Sequence, residues 1–402
     1  MIFEDFVLNF IFIISTLFIF SKFFNSFIGL LISSSLTILL ILRILSKQKH
    51  LLKDKAKELN KHIENLKKSG LKNLNISEKL NIKNVATNIN IFQGDKIILS
   101  FLDGKIIIYF IDIIHYKFIE LLCIDKILYN VYNSIQLEYE NNLILVYGNP
   151  GIIIFDIQII NLKGKKGNKY KIKQKLNFAT FNNKIIKVIE LDKNTLISIS
   201  FDYLLIWHKI NDEYIISKKY LDYNKYENLL LLSNLLKLDA NNIVLLKQAN
   251  SNMTKSTVDF IEIINNAPNE IKLLNVDISL YVNGSNNLLL INQKEKIFLV
   301  GCKKGISVIS GKYMEIIQFI STGENINYLE LFLNRFIIFN SKIQNNDKEY
   351  IFYQIEFKND FENGEKIILK NNSIKKGLNA FKYFKDGIII ISNKEGYLQL
   401  WH

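Results

Sequence analysis

Residues 195–210 read TLISISFDYLLIWHKI, and residues 389–402 read IIISNKEGYLQLWH. In both, an apolar run stops at a short polar break, resumes, and ends on Trp-His. Laying Trp207 on Trp401 aligns the two stretches without gaps, so that Ser198 meets Ser392 and Tyr203 meets Tyr397. Short β-branched and apolar runs separated by a few turn-forming residues predict two strands joined by a tight turn.

The same shape recurs at 97–112 (IILSFLDGKIIIYFID), 143–157 (LILVYGNPGIIIFDI) and 297–310 (IFLVGCKKGISVIS). Two looser copies, at 242–263 and 335–357, have longer turns, spanning 247–257 and 341–349. The turn centres fall near Gly104, Gly151, Asp202, Ser256, Gly305, Lys348 and Gly396, spaced by 43 to 54 residues. A near-constant period of this length marks a repeat architecture. Each unit has a further apolar strand before the pair, such as KIIKVIEL (184–191). Each of the first six has one after it, such as YIISKKYL (214–221). Four short antiparallel strands per unit make a propeller blade. The expected fold is therefore all-β, a seven-bladed propeller over 73–402. The seventh unit stops at Trp401-His402 after its third strand, and 73–82 (NLNISEKLNI) is one strand long. That segment is expected to close the ring as the missing outer strand.

The two Trp-His stretches resemble the second and third strands of WD-repeat blades, whose third strand typically ends in Trp-Asp. Here His208 and His402 stand at the Asp position, and the Gly-His that opens a typical repeat is absent. Trp207 and Trp401 are the structural markers of this resemblance. What it implies is a rigid ring that docks other proteins.

The N-terminus has a different character. Residues 6–42 are almost unbroken apolar sequence, and 23–42 has about the length that crosses a hydrocarbon core. A membrane anchor is expected over 1–45, as one transmembrane helix or a helical hairpin. Of the net charge of +13, residues 43–72 hold ten Lys and Arg against three acids. This basic flank, with Arg43, Lys47, Lys49 and Lys53 nearest the apolar tract, places the following domain in the cytoplasm by the positive-inside rule. It is also expected to meet anionic lipid. Residues 46–69 read as a basic amphipathic helix within a linker at 46–72, stopped by Gly70. Its stripe of Leu45, Leu52, Ala56, Leu59, Ile63 and Leu66 has heptad spacing. A short coiled coil through 45–66 would make a homodimer; packing on the domain or the membrane is the alternative.

Catalytic signatures are missing. The five histidines have no metal-ligand spacing, and no phosphate-binding loop, nucleophile elbow or dinucleotide fingerprint occurs. Cys123 and Cys302 are too few for a disulfide framework or a cysteine zinc site. No enzyme activity, metal or cofactor is expected. Nucleic acid is not expected as a partner either, because arginine, its usual reader, occurs only twice. One lysine-rich stretch, NLKGKKGNKYKIKQKL (161–176), offers Lys163, Lys165, Lys166 and Lys169 as a patch for an acidic partner or lipid. Equally, it reads as a solvated loop entering an outer strand whose lysines deter edge pairing.

The function expected from these features is a membrane-anchored docking scaffold, with its propeller facing the cytoplasm on the endoplasmic reticulum or another endomembrane. Two alternatives stand beside it. One is a guanine-nucleotide exchange factor, from resemblance to the endoplasmic-reticulum propeller that activates a vesicle-coat GTPase and carries its span at the C-terminus. The other is a lumenal or exported propeller on an uncleaved anchor.

Overall fold

A computed structural model of the chain describes residues 76–402 apart from short internal stretches, the longest being 161–168, 221–229, 279–286, 343–349, 357–367 and 370–377. Before residue 76 it describes only eight positions between Ser46 and Glu64, all helical. The apolar tract, Arg43, Lys47, Lys49 and most of the heptad stripe lie outside the described residues. Among those described, no helix is long and apolar enough to cross a membrane. The chain divides into two compact units, residues 1–65 and 66–402.

The larger unit begins with β1 (Ile76–Asn81) and continues through β-branched and aromatic strands that form four-stranded antiparallel sheets. The first sheet is β2 (Ala86–Phe92), β3 (Lys96–Phe101), β4 (Ile106–Asp112) and β5 (Lys117–Ile124). The second is β6 (Asn130–Gln136), β7 (Leu143–Asn149), β8 (Gly151–Ile160) and β9 (Lys169–Phe178). The third is β10 (Lys187–Asp192), β11 (Thr195–Ile199), β12 (Leu204–Ile210) and β13 (Glu213–Tyr220). The fourth is β14 (Leu230–Lys237), β15 (Asn242–Ala249), β16 (Thr257–Ile264) and β17 (Ala267–Asn275). The fifth is β18 (Leu288–Asn292), β19 (Ile297–Cys302), β20 (Gly305–Ser310) and β21 (Glu315–Ser321). The sixth is β22 (Ile326–Phe332), β23 (Phe336–Lys342), β24 (Tyr350–Glu356) and β25 (Ile368–Leu369). The last is β26 (Leu378–Tyr383), β27 (Ile389–Asn393) and β28 (Tyr397–Trp401), and it takes β1 as its fourth strand.

The pairing of β1 with β28 is antiparallel, with Lys79 opposite Gln399 and Asn81 opposite Tyr397. Side chains add to it. Glu78 accepts a 2.6 Å hydrogen bond from the Phe118 amide, and His402 stacks on Tyr116 with ring centroids 3.7 Å apart while contacting Ser77. The first and last strands of the unit thus share one sheet, although they lie more than 300 residues apart in sequence.

Middle strands such as β3, β7, β11 and β19 are buried almost throughout, which is why they read as continuous apolar runs rather than alternating ones. Both faces of each sheet are covered, because every sheet packs against its neighbours. Phe92, Ile98 and Val146 join the first sheet to the second. Tyr147 and Trp207 join the second to the third, and Ile197 and Leu245 join the third to the fourth. Phe260 packs edge-on against Phe298 between the fourth and fifth, and Leu299 meets Ile337 between the fifth and sixth. Tyr328, Phe381 and Trp401 link the sixth to the last. Finally Ile390 and Leu400 meet Ile89 and Leu99, which brings the last sheet against the first.

Tight turns connect the strands within each sheet. Gly104, at φ +82°, closes the β3–β4 turn, where a Cβ would collide with the Leu128 carbonyl of the next connection. Only glycine fits that conformation and that close approach. Elsewhere the strands are longer than the sequence suggests. β15 runs to Ala249 and β23 to Lys342, so 247–249 and 341–342 belong to strands rather than to projecting turns. Lys247 is accordingly buried, and its ammonium pairs with the fully buried Asp259 carboxylate on β16.

Candidate functional site

The innermost strands of the sheets carry a pattern that an apolar core strand does not need. β10 places Lys187 and Glu190 among apolar residues, β14 ends on Lys237, β22 carries Glu330 and β26 carries Lys382. β10, β14 and β26 converge on a cavity of about 610 Å³, lined by the polar residues Asn90, Gln136, Glu138, Lys187, Glu190, Lys237, Gln293 and Lys382; Glu330 reaches it through Lys382. Apolar wall is supplied by Ile91, Ile135, Val188, Leu288 and Leu290, among others.

Much of this polar lining is already engaged. Lys382 bridges from the last sheet to Glu330 of the sixth, its ammonium 2.9 and 3.0 Å from the two carboxylate oxygens. Burial raises the Glu330 carboxyl while Lys382 opposes that rise. Lys237 pairs with Glu138 at 3.2 Å. Glu190, 5% exposed, accepts hydrogen bonds from the backbone amides of Glu138 and Tyr139. Burial, aided by the Glu138 charge, nevertheless pushes its carboxyl up to about 7. Asn133 donates 3.0 Å to the Tyr147 hydroxyl, and Asn234 donates 2.8 Å to Asn287, just before β18. Lys187 differs: burial, and then the neighbouring Lys382 charge, bring its ammonium down to about 8. Among the described residues, no carboxylate pairs with it.

The residues singled out from the sequence lie apart from this cavity. Trp207 sits in β12, buried, and its indole N–H donates 2.8 Å to Ser198 Oγ on β11. Trp401 is buried between the sixth and last sheets, with its N–H 3.0 Å from Gln399 Oε1. Both are core anchors. His208 lies inside β12 rather than at its end, 3.3 Å from Thr195 Oγ1. Cys302 is buried beside Ser307, Cys123 is partly buried, and both are free thiols. Lys169 opens the outer strand β9, opposite Ile160. Lys163, Lys165 and Lys166 lie outside the described residues, and Lys53 is an exposed helical position. Among the described residues, no cluster of His, Cys, Asp or Glu is placed to hold a metal.

The channel charges were overlooked in sequence because each looks like an ordinary surface residue. A usable signal exists: in INYLELFL and LNAFKYF one charged residue, and in KIIKVIEL Lys187 and Glu190, interrupt the apolar first strand of a repeat unit. In a ring of sheets, that strand faces the axis.

No protein-family profile matches the chain, and no curated protein matches it in sequence. Among solved structures it is similar to the WD40 β-propeller domain of Doa1, with a TM-score of 0.52 at 12% identity. The match covers 83% of this chain and 98% of that domain. With its repeated four-stranded sheets and its first strand completing its last sheet, the described chain has the WD40-type β-propeller fold.

Proposed function

We propose that this protein is a seven-bladed propeller held at a membrane by its apolar N-terminus, working in the cytosol as a non-enzymatic docking scaffold. The observation that carries the proposal is the ring itself, whose sheets pack in succession and whose last sheet is completed by β1. A ring without free sheet ends is a rigid display for loops, and function then resides in what the loops and channel present. In the chain, β1 follows the basic segment 43–72. Arg43, Lys47, Lys49 and Lys53 are assigned to anionic head groups, each worth about 1 kcal/mol near such a surface. Residues 45–66 have the spacing for a homodimeric helix pair.

The test uses sealed membranes from the native cell, with the chain tagged after His402. Digestion of the tag by added protease without detergent, together with retention of the chain in the membrane after alkaline carbonate washing, is expected. Release by carbonate would overturn the anchor; protection of the tag would move the propeller to the lumen.

A further inference from the structure

We propose that the axial channel is a binding site for a small phosphate monoester, held through its phosphate by Lys187 and Lys382. The cavity of about 610 Å³ lies in the size range of small-molecule sites. It is larger than a phosphate group and has an apolar wall, from Ile91, Ile135, Leu288 and Leu290, to receive an organic moiety. Two ammonium groups line it near each other, and only one of them is compensated. The Glu330 carboxylate is committed to Lys382 by contacts of 2.9 and 3.0 Å, which leaves Lys187 as a cation facing the cavity without an ion pair among the described residues.

A phosphate group, with three terminal acceptor oxygens, complements that arrangement. It would neutralise Lys187, share Lys382 with Glu330, and use the side-chain amide of Gln293 as a further donor. A monocarboxylate is the poorer complement, since it has two acceptor oxygens where a phosphate monoester has three to share among the two ammonium groups and an amide donor. Of the ionisable groups around the pair, Glu330 on β22 contacts Lys382, the Tyr328 phenol lies near Glu330 and the Tyr147 phenol, and Glu190 on β10 shares the cavity lining. Glu138 and Lys237 lie further along the lining. Burial and the Lys382 charge bring Lys187 down to about 8, so its positive charge is lost within the accessible pH range.

The experiment titrates the full-length protein, in non-ionic detergent, with inorganic phosphate and with phenyl phosphate. Calorimetry and thermal melting supply the readouts, with chloride added to match ionic strength. Phenyl phosphate is expected to bind more tightly than inorganic phosphate. Lys187→Met is expected to weaken both by roughly tenfold or more, the size of a lost charge-assisted hydrogen bond. Lys187→Arg should keep binding, and Lys163→Ala/Lys165→Ala/Lys166→Ala should leave it unchanged. Binding to the wild type should weaken between pH 7.5 and 9.5, whereas binding to Lys187→Arg should not. Because Lys187→Met removes an uncompensated cation from the channel wall, its melting temperature without ligand should equal or exceed that of the wild type. Loss of binding is then not attributable to unfolding. Equal phosphate binding by wild type and Lys187→Met, binding abolished by the Lys163/Lys165/Lys166 variant, or no binding at all would each overturn the proposal.

Discussion

Replacing Glu190 by glutamine should stabilise this protein, and only at neutral to alkaline pH. The carboxyl is 5% exposed at the channel wall, and burial with the nearby Glu138 charge lifts it from the ordinary 4.5 to about 7. An acid with a higher proton affinity folded than unfolded binds more protons in the folded state. Its contribution to stability is then present below about 4.5 and is lost as the pH climbs through 7. At about 1.4 kcal/mol per pH unit, the ionised carboxylate opposes folding by about 3 kcal/mol above pH 7. Glutamine keeps an acceptor oxygen for the Glu138 and Tyr139 amides without carrying the charge. Urea unfolding of wild type and Glu190→Gln at pH 4.5, 6 and 8 should show a difference near zero at the lowest pH. At pH 8 the variant should be more stable by about 3 kcal/mol. A pH-independent offset, or a variant that grows less stable as pH rises, would refute the assignment of Glu190 to a water-poor wall.

Further outcomes follow from the core and its buried charges. Trp401→Ala empties the seam between the sixth and last sheets and should cost about 3–5 kcal/mol in urea unfolding. Lys247→Met strands the fully buried Asp259 carboxylate and should cost about 3–5 kcal/mol, whereas the double variant Lys247→Met/Asp259→Leu should recover most of that loss. Gly148→Ala drives a Cβ into the Asn130 carbonyl across β6 and β7 and should cost about 1–3 kcal/mol, visible as a lower melting temperature.

The fold was legible because repetition multiplies a weak signal. One strand–turn–strand such as 297–310 specifies little, but its recurrence with strands before and after it specifies a four-stranded unit, here β18 to β21. The position of β1 was legible from arithmetic of strands: the last unit ended one short, and 73–82 was one strand long. Turn limits were less clear, since Lys247 carries a loop-like charge and its burial depends on Asp259, twelve residues on and across the β15–β16 pair. The channel was the least legible part. Lys187 and Glu190 come from β10, Lys237 from β14 and Lys382 from β26, and no local pattern says that they share one space. The lysine stretch at 161–176 drew attention through density alone, while the groups whose ionisation the fold alters stand singly in apolar strands.

The central claim, that the first strand closes the ring, is tested most directly by a cross-link. With Cys123 and Cys302 replaced by serine, Lys79→Cys and Gln399→Cys place two thiols on directly opposite residues of β1 and β28. Opposed residues of an antiparallel pair lie about 4.5–5.5 Å apart at Cα, within reach of a disulfide. Mild oxidation followed by proteolysis and mass spectrometry should yield a 79–399 linked peptide from most of the folded protein. Folded protein in which both thiols stay free would contradict the closed ring.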